Sequence, residues 1–165
     1  MNYPSNLQFW LMKSEPSVFG IDNLAACPKQ TTHWDGVRNY QARNMMRDQM
    51  KPGDLAFFYH SNCKEPGIVG VMEVVREGYP DFTAFDPDSQ YFDPKSSPDK
   101  PRWFMVDVKL VGKFDRTISL SELKSYPELE GFKLLQRGNR LSVMPVESQH
   151  WDFISKLAKL IPTQK

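Results

Sequence analysis

Leu7-Gln8-Phe9-Trp10-Leu11-Met12-Lys13 is the stretch on which the fold turns. Its apolar side chains occupy successive positions instead of alternating with polar ones, so a strand here has no solvent face and must be covered on both sides. Two arrangements meet that demand: a central strand in a sheet with a layer on each face, or a strand of a small closed barrel. Ser14-Glu15-Pro16 stops the strand, because proline brings no N–H to a ladder and restricts the residue before it. Alternation sends Trp10 and Ser14 to one face and Phe9, Leu11 and Lys13 to the other, so polar groups emerge at the strand end in two directions.

Downstream, Ser17 to Ala26 reads as a short helix ended by Pro28, packing through Val18, Phe19, Ile21 and Leu24. Tyr40 to Met50 is a second helix, with Ala42, Met45, Met46 and Met50 at helical spacing and Arg43 and Arg47 on the outer face. After the turn Pro52-Gly53-Asp54, Leu55 to His60 is another strand apolar on both faces, running out into Ser61-Asn62. Gly67 to Arg76 is a third strand, in which Gly70 marks a bulge or a close approach of backbone. Gly78 to Pro101 holds five Pro and five Asp among Tyr79, Phe82, Phe85, Tyr91 and Phe92, so it is a long loop that packs on the body.

Trp103 to Val111 and Phe114 to Ile118 read as two strands across a tight Gly112-Lys113 turn. Ser119 caps a helix from Leu120 to Tyr126 that Pro127 ends, and Gly131 to Leu135 is a connector. Arg137-Gly138-Asn139-Arg140 is a basic turn before a last strand, Leu141 to Val146, and a closing helix, Glu147 to Leu160, with Trp151, Ile154, Ala158 and Ile161 on one stripe. Short strands interrupted by short helices, without a βαβ rhythm, give an α+β class: a small mixed β-barrel with peripheral short helices. At 165 residues the chain builds one domain, 1–165, with its core over about residues 7–161.

Lys and Arg number 21 against 20 Asp and Glu, a formal charge of +1. This balance excludes binding to nucleic acid by bulk phosphate neutralisation, and any such contact must come from a local patch. Met1 to Asn6 has no charged n-region or apolar h-region, and no apolar run approaches a membrane span, so the protein is expected in the cytosol, or in the nucleus of a eukaryote. Cys27 and Cys63 have no CxxC partner and no His at zinc-ligand spacing, so neither a disulfide framework nor a metal site is expected. Without a P-loop or GxGxxG there is no nucleotide cofactor, and His33, His60 and His150 sit in no nucleophile elbow. His60, at a strand end, reads as a hydrogen-bonded structural residue.

After the first helix and running into the second lies Thr31-Thr32-His33-Trp34-Asp35-Gly36-Val37-Arg38-Asn39-Tyr40-Gln41-Ala42-Arg43-Asn44. Asn39 is a natural N-cap, which puts Trp34 to Arg38 at a helix N-terminus that favours an anion. Two readings stand for it: a binding loop, or a capped helix with Trp34 as a core anchor. With Trp10, Ser14, Tyr59, Ser61, Arg140 and Ser142 it supplies stacking faces and in-plane donors and acceptors for a flat heteroaromatic ring, unless Trp10 and Tyr59 are simply core aromatics, a reading that stands beside it. Stacking contributes about 1–3 kcal/mol per base, comparable to what flipping one out of a duplex costs.

WLMKSEP (Trp10 to Pro16), WDGVRNYQARN (Trp34 to Asn44), GDLAFFYHSN (Gly53 to Asn62), GIVGVMEVV (Gly67 to Val75), YFDPKS (Tyr91 to Ser96), RWFMVDV (Arg102 to Val108) and RLSVMPV (Arg140 to Val146), in this order, closely resemble the EVE domain of the thymocyte nuclear protein family and its bacterial relatives. The resemblance covers nearly the whole chain. It implies a PUA-like fold and a reader of modified bases, with 5-methyl- or 5-hydroxymethylcytosine in DNA the leading ligand. It also implies a base pocket lined by Trp10, Lys13, Ser14, Trp34, Val37, Arg38, Asn39, Tyr59, Ser61, Arg140, Leu141 and Ser142, with the loop carrying YFDPKS nearby. The long basic N-terminal extension of eukaryotic nuclear members does not precede the match, so a bacterial, stand-alone version is expected.

These readings combine into a non-catalytic nucleic-acid-binding module, with Arg38, Arg43, Arg47, Arg137 and Arg140 on the phosphates. One alternative is an RNA reader of PUA or YTH type. Another is an ASCH-like nuclease or hydrolase, for which Lys13, Glu15 and His60 are the available acid, base and nucleophile candidates.

Overall fold

The structure is a computed structural model that describes residues 6–163; the reading of the first five residues as free of a targeting signal lies outside that range. Seven strands form one mixed sheet: β1 (Phe9–Ser14), β2 (Thr31–His33), β3 (Leu55–His60), β4 (Gly67–Pro80), β5 (Phe104–Ser119), β6 (Val143–Val146) and β7 (Leu160–Pro162). The hydrogen-bonded order is β2-β5-β4-β3-β1-β6, with β7 also paired to β5. Only the β1–β3 pair is parallel, in the register Leu11↔Phe57, and Leu11 on its other side faces Met144. Five short helices surround the sheet: α1 (Pro16–Phe19), α2 (Ile21–Ala26), α3 (Tyr40–Asp48), α4 (Leu120–Lys124) and α5 (Ser148–Ser155). The class is therefore the α+β arrangement expected.

β1 is covered on both faces, as its unbroken apolar run requires. Trp10 and Met12 join Ala56, Phe58, Met72 and Val74 in one buried cluster, closed by Leu24 of α2 and Ala42, Met45 and Met46 of α3. Phe9 and Leu11 join Phe57, Tyr59 and Ile118 in a second, closed by Leu123 of α4 and by Trp151 and Ile154 of α5. Trp151 stacks on Phe9 and Phe57 with centroids at 4.6 and 3.8 Å. The strict alternation in β1 and β3 breaks in β4, where Ile68 and Val71 share the second cluster while Met72 and Val74 share the first. The register shifts between Ile68 and Gly70 account for the change of face. Gly70 sits there because a Cβ would lie 2.5 Å from the Gly112 carbonyl oxygen.

Several boundaries depart from expectation. The helix read over Ser17 to Ala26 breaks at Gly20, whose N–H is capped by Asn23 Oδ1 at 2.7 Å, and Val18 is exposed instead of packed. Thr31–His33, expected as loop, pairs with Lys109–Asp107 as an edge strand. Gly112-Lys113 is no turn: β5 continues through it for 16 residues. Gly112 is needed there by close approach, since a Cβ would meet the Ile161 carbonyl oxygen at 2.5 Å. The closing helix ends at Ser155, and Leu160–Pro162 pairs with Gly112–Phe114, so Ile161 belongs to an edge strand with its side chain exposed.

Candidate nucleic-acid interface

The ends of β1 and β3 and the approach to β6 come together with the loop between β2 and α3. Ser61 N–H donates to the Ser14 carbonyl at 3.0 Å, and Lys13 N–H to that of Ser142 at 2.8 Å. Trp34 anchors the loop: its N–H donates to Val106 O, its indole meets Phe58 edge-on at 5.3 Å, and it is buried. Asn39 Oδ1 accepts Ala42 N–H at 3.0 Å, the N-cap expected. Gly36 turns the loop at φ +81° and lies flat against the Tyr91 ring, where a Cβ would come within 2.5 Å of Cζ.

Asp81 holds this geometry. Its carboxylate, with no exposed side-chain surface, accepts Gly36 N–H at 2.9 Å, Arg38 Nη1 at 3.0 Å, and both the N–H and hydroxyl of Thr83. Burial works to raise its pKa, but the bonds from Thr83, Gly36 and Arg38 outweigh it and hold the group below the ordinary carboxylate range. Arg38 continues the link, donating to the Tyr91 carbonyl at 2.6 Å and lying over the rings of Tyr91 and Trp103. The long Asp-rich segment after β4 is thus pinned to the Trp34 loop.

These elements enclose a cavity of about 590 Å³, within the usual range for small-molecule pockets. Lys13, Ser14, Trp34, Val37, Ser61, Arg140 and Ser142 line it, as the sequence predicts. Five expected members are elsewhere. Trp10 is buried in the first core cluster with Nε1 on Asp54 at 2.9 Å, and Tyr59 is buried in the second. Leu141 packs against both clusters, Asn39 is spent as a cap, and Arg38 is the clamp behind the wall. The sequence reading missed Asp35, Gln90 and Tyr91, which do line the cavity, together with Phe19 and His33.

Electrostatically the cavity holds ionisable groups of both signs. Lys13 makes no ion pair, and burial lowers its pKa. Asp35 is raised, first by burial and then by Asp81, against the pull of His33, of a hydrogen bond from its own backbone N–H and of Arg38. Of the arginines expected on phosphates, Arg140 is exposed at the rim and Arg137 is exposed nearby in sequence. The others are already engaged: Arg38 with Asp81, Arg43 with the Arg102 carbonyl at 2.6 Å, and Arg47 with both oxygens of Asp48. Lys13 and Glu15 line the cavity but His60 does not; its Nε2 accepts Ile21 N–H at 3.1 Å, the structural role expected. Among the described residues no group of three or more His, Cys, Asp or Glu could hold a metal, and no helix is long and apolar enough to cross a membrane.

Comparison with known proteins places this geometry. The sequence profile of the EVE domain matches residues 8–157. Thymocyte nuclear protein 1 of Homo sapiens is 48% identical over 171 residues, covering 93% of this chain and 75% of that protein. A crystal structure of human THYN1 protein in complex with 5-methylcytosine containing DNA superposes with a TM-score of 0.84 at 50% identity, covering 89% of this chain and 95% of the other. A hypothetical protein from Leishmania major superposes at 0.85 with 52% identity, over 90% and 92% of the two chains.

Proposed function

The chain belongs to the EVE domain family, and from that premise we propose that it is a non-catalytic nucleic-acid-binding module that admits one extruded, modified base into the cavity under the Trp34 loop. The base favoured is 5-methylcytosine in DNA. The observation that carries this reading is a cavity walled by the rings of Trp34 and Tyr91 and lined by the hydroxyl, amine and carboxylate groups of Ser61, Ser142, Lys13 and Asp35. Cytosine offers an exocyclic amine to a carboxylate and two acceptors to donors; Asp35 suits the first, and Lys13, Ser61 and Ser142 the others. Val37 and Phe19 supply apolar surface for a methyl group. The relative solved with methylated DNA supports the choice of ligand class. Rim contacts to phosphate come from Arg140 and Arg137.

Fluorescence anisotropy with duplexes that differ only in one 5-methylcytosine, at two salt concentrations, tests the proposal, with matched RNA as a third arm. Trp34→Ala abolishes the preference for the methylated duplex while Arg140→Ala weakens both duplexes equally and reduces the salt slope by about one. Equal loss on both duplexes from Trp34→Ala overturns the pocket, and tighter binding to RNA with dependence on its 2′-hydroxyls reassigns the partner.

A further inference from the structure

Outside the cavity, an alternating series of rings and guanidinium groups runs from its wall to the protein surface. The Arg38 guanidinium lies 5.6 Å from the Tyr91 ring and 5.3 Å from that of Trp103, and Trp103 stacks on Tyr40 at 4.8 Å with an interplanar angle of 19°. Tyr40, the first residue of α3, is 50% exposed, although the Arg43 guanidinium is 4.8 Å from its ring. The placement of that guanidinium decides what the ring can do. Arg43 is only 6.0 Å from the Trp103 ring, whereas a group stacked on the far side of Tyr40 from Trp103 would be nearly twice as distant as either contact. Arg43 therefore sits beside the Tyr40–Trp103 stack, and the outward face of Tyr40 is left bare.

Guanidinium groups flank this face, Arg47 and Arg102 each offset in part by a carboxylate, Asp48 at 2.8 Å and Asp93 at 3.9 Å. Arg43, Arg47 and Arg102 are close enough that the latter two bear on Arg43 as like charges, and Arg43 is tied to the Arg102 carbonyl, which holds the two chain segments together. A bare aromatic face flanked by guanidinium groups is the pairing that seats an unpaired base and its phosphate.

We propose that the outward face of Tyr40 is a second seat, which stacks an unpaired base on the same strand as the base in the cavity while Arg43 and Arg102 face the intervening phosphates. This rests on the cavity reading, because the strand leaving the cavity past Tyr91 is what reaches Tyr40. The ligand class is accordingly a strand opened beyond a single flipped base, such as a single-stranded or gapped region carrying the modified cytosine. A fully paired duplex offers no base for the second seat.

The test uses single-stranded oligonucleotides with one central 5-methylcytosine, in which each flanking nucleotide in turn is replaced by an abasic unit, read by anisotropy against wild-type, Tyr40→Ala and Tyr40→Trp proteins of verified melting temperature. Wild type should lose about 5-fold to 150-fold in affinity at one abasic position and little at the others. Tyr40→Ala should show that same loss on the intact strand and no further loss at that position, and Tyr40→Trp should keep the wild-type pattern. Wild-type insensitivity to every abasic position, or a Tyr40→Ala loss that is identical at all of them, overturns the seat. Failure of the cavity reading shows differently, as wild-type protein that does not separate methylated from plain cytosine in the intact strand.

Discussion

Removing the Asp81 carboxylate should loosen the cavity although Asp81 does not itself line it. Asp81→Ala strands the Arg38 guanidinium and orphans the N–H groups of Gly36 and Thr83. Breaking a buried ion pair from one side costs about 3–5 kcal/mol. Arg38 keeps 24% of its side chain in solvent and its bond to the Tyr91 carbonyl, which argues for the lower end, about 3 kcal/mol. For a chain of this size that is a fall in melting temperature of roughly 6–12 °C. Asp81→Asn keeps an acceptor for Gly36 but loses the charge, so it should fall between alanine and wild type. The pH dependence has a definite sign: the folded carboxyl titrates below its ordinary 3.8, so its contribution is present above that value and lost as pH falls through the folded pKa. Asp81→Asn should therefore flatten the acid limb of the stability profile. Thermal and urea unfolding from neutral pH into that limb, with anisotropy on methylated duplex, provide the readouts. An Asp81→Ala protein that melts within 2 °C of wild type and still prefers the methylated duplex would refute the claim that this carboxylate holds the binding loop.

Gly36→Ala drives a Cβ into the Tyr91 ring at a positive φ, and should cost about 1–3 kcal/mol along with base discrimination; adding Tyr91→Ala should recover part of the stability, a sub-additive pair in urea titration. Lys13, its pKa lowered by burial, sheds its proton below the ordinary 10.5, so binding should decline on the alkaline side before an exposed lysine would, and Lys13→Arg should remove that decline in a pH series of anisotropy titrations. Burial also lowers His60, with Asp22 opposing. Its neutral ring accepts Ile21 N–H, so its contribution is present above 6.5 and lost as pH falls through the lower folded pKa. His60→Phe should cost about 1–3 kcal/mol at neutral pH and show a shallower loss of urea midpoint on acidification than wild type, and equal slopes would count against the assignment.

What the sequence made legible follows from how local each cause is. The doubly apolar runs of β1 and β3 needed only their own residues to demand cover on both faces, and the caps at Asn39 and Ser119 are set by side chains bonding to N–H groups three residues on. Gly112 was misread because a glycine beside Lys113 has the composition of a turn, while its actual cause, the Ile161 carbonyl 49 positions later, leaves no local trace. The same distance hid β7: Leu160 and Ile161 continue a helical stripe in sequence, and only the open edge of β5 makes them a strand.

The site was legible in the same graded way, and its errors point to how it works. Lys13, Ser14, Ser61 and Ser142, which the resemblance assigns to the pocket, all line the cavity, although alternation alone sends Lys13 and Ser14 to opposite faces of their strand. Trp10 and Tyr59 were drawn into the pocket by their chemistry, although their position inside doubly covered strands already assigned them to the core. Tyr91 and Asp81 stand 53 and 43 residues from Arg38, and nothing local in their loop says which aromatic or which aspartate turns inward. Arg38 shows why this matters for function: its two strongest contacts are a buried carboxylate and a backbone carbonyl, so its charge is spent on building the wall and is unavailable to a phosphate. With Arg38, Arg43 and Arg47 engaged within the protein, phosphate contact beside the cavity falls, among the sequence-predicted arginines, to Arg140 and Arg137. On a fully paired duplex, which leaves the Tyr40 seat empty, affinity from these five should then carry a salt slope near two rather than five, and a steeper slope there would mean that other lysines and arginines join the interface when nucleic acid arrives.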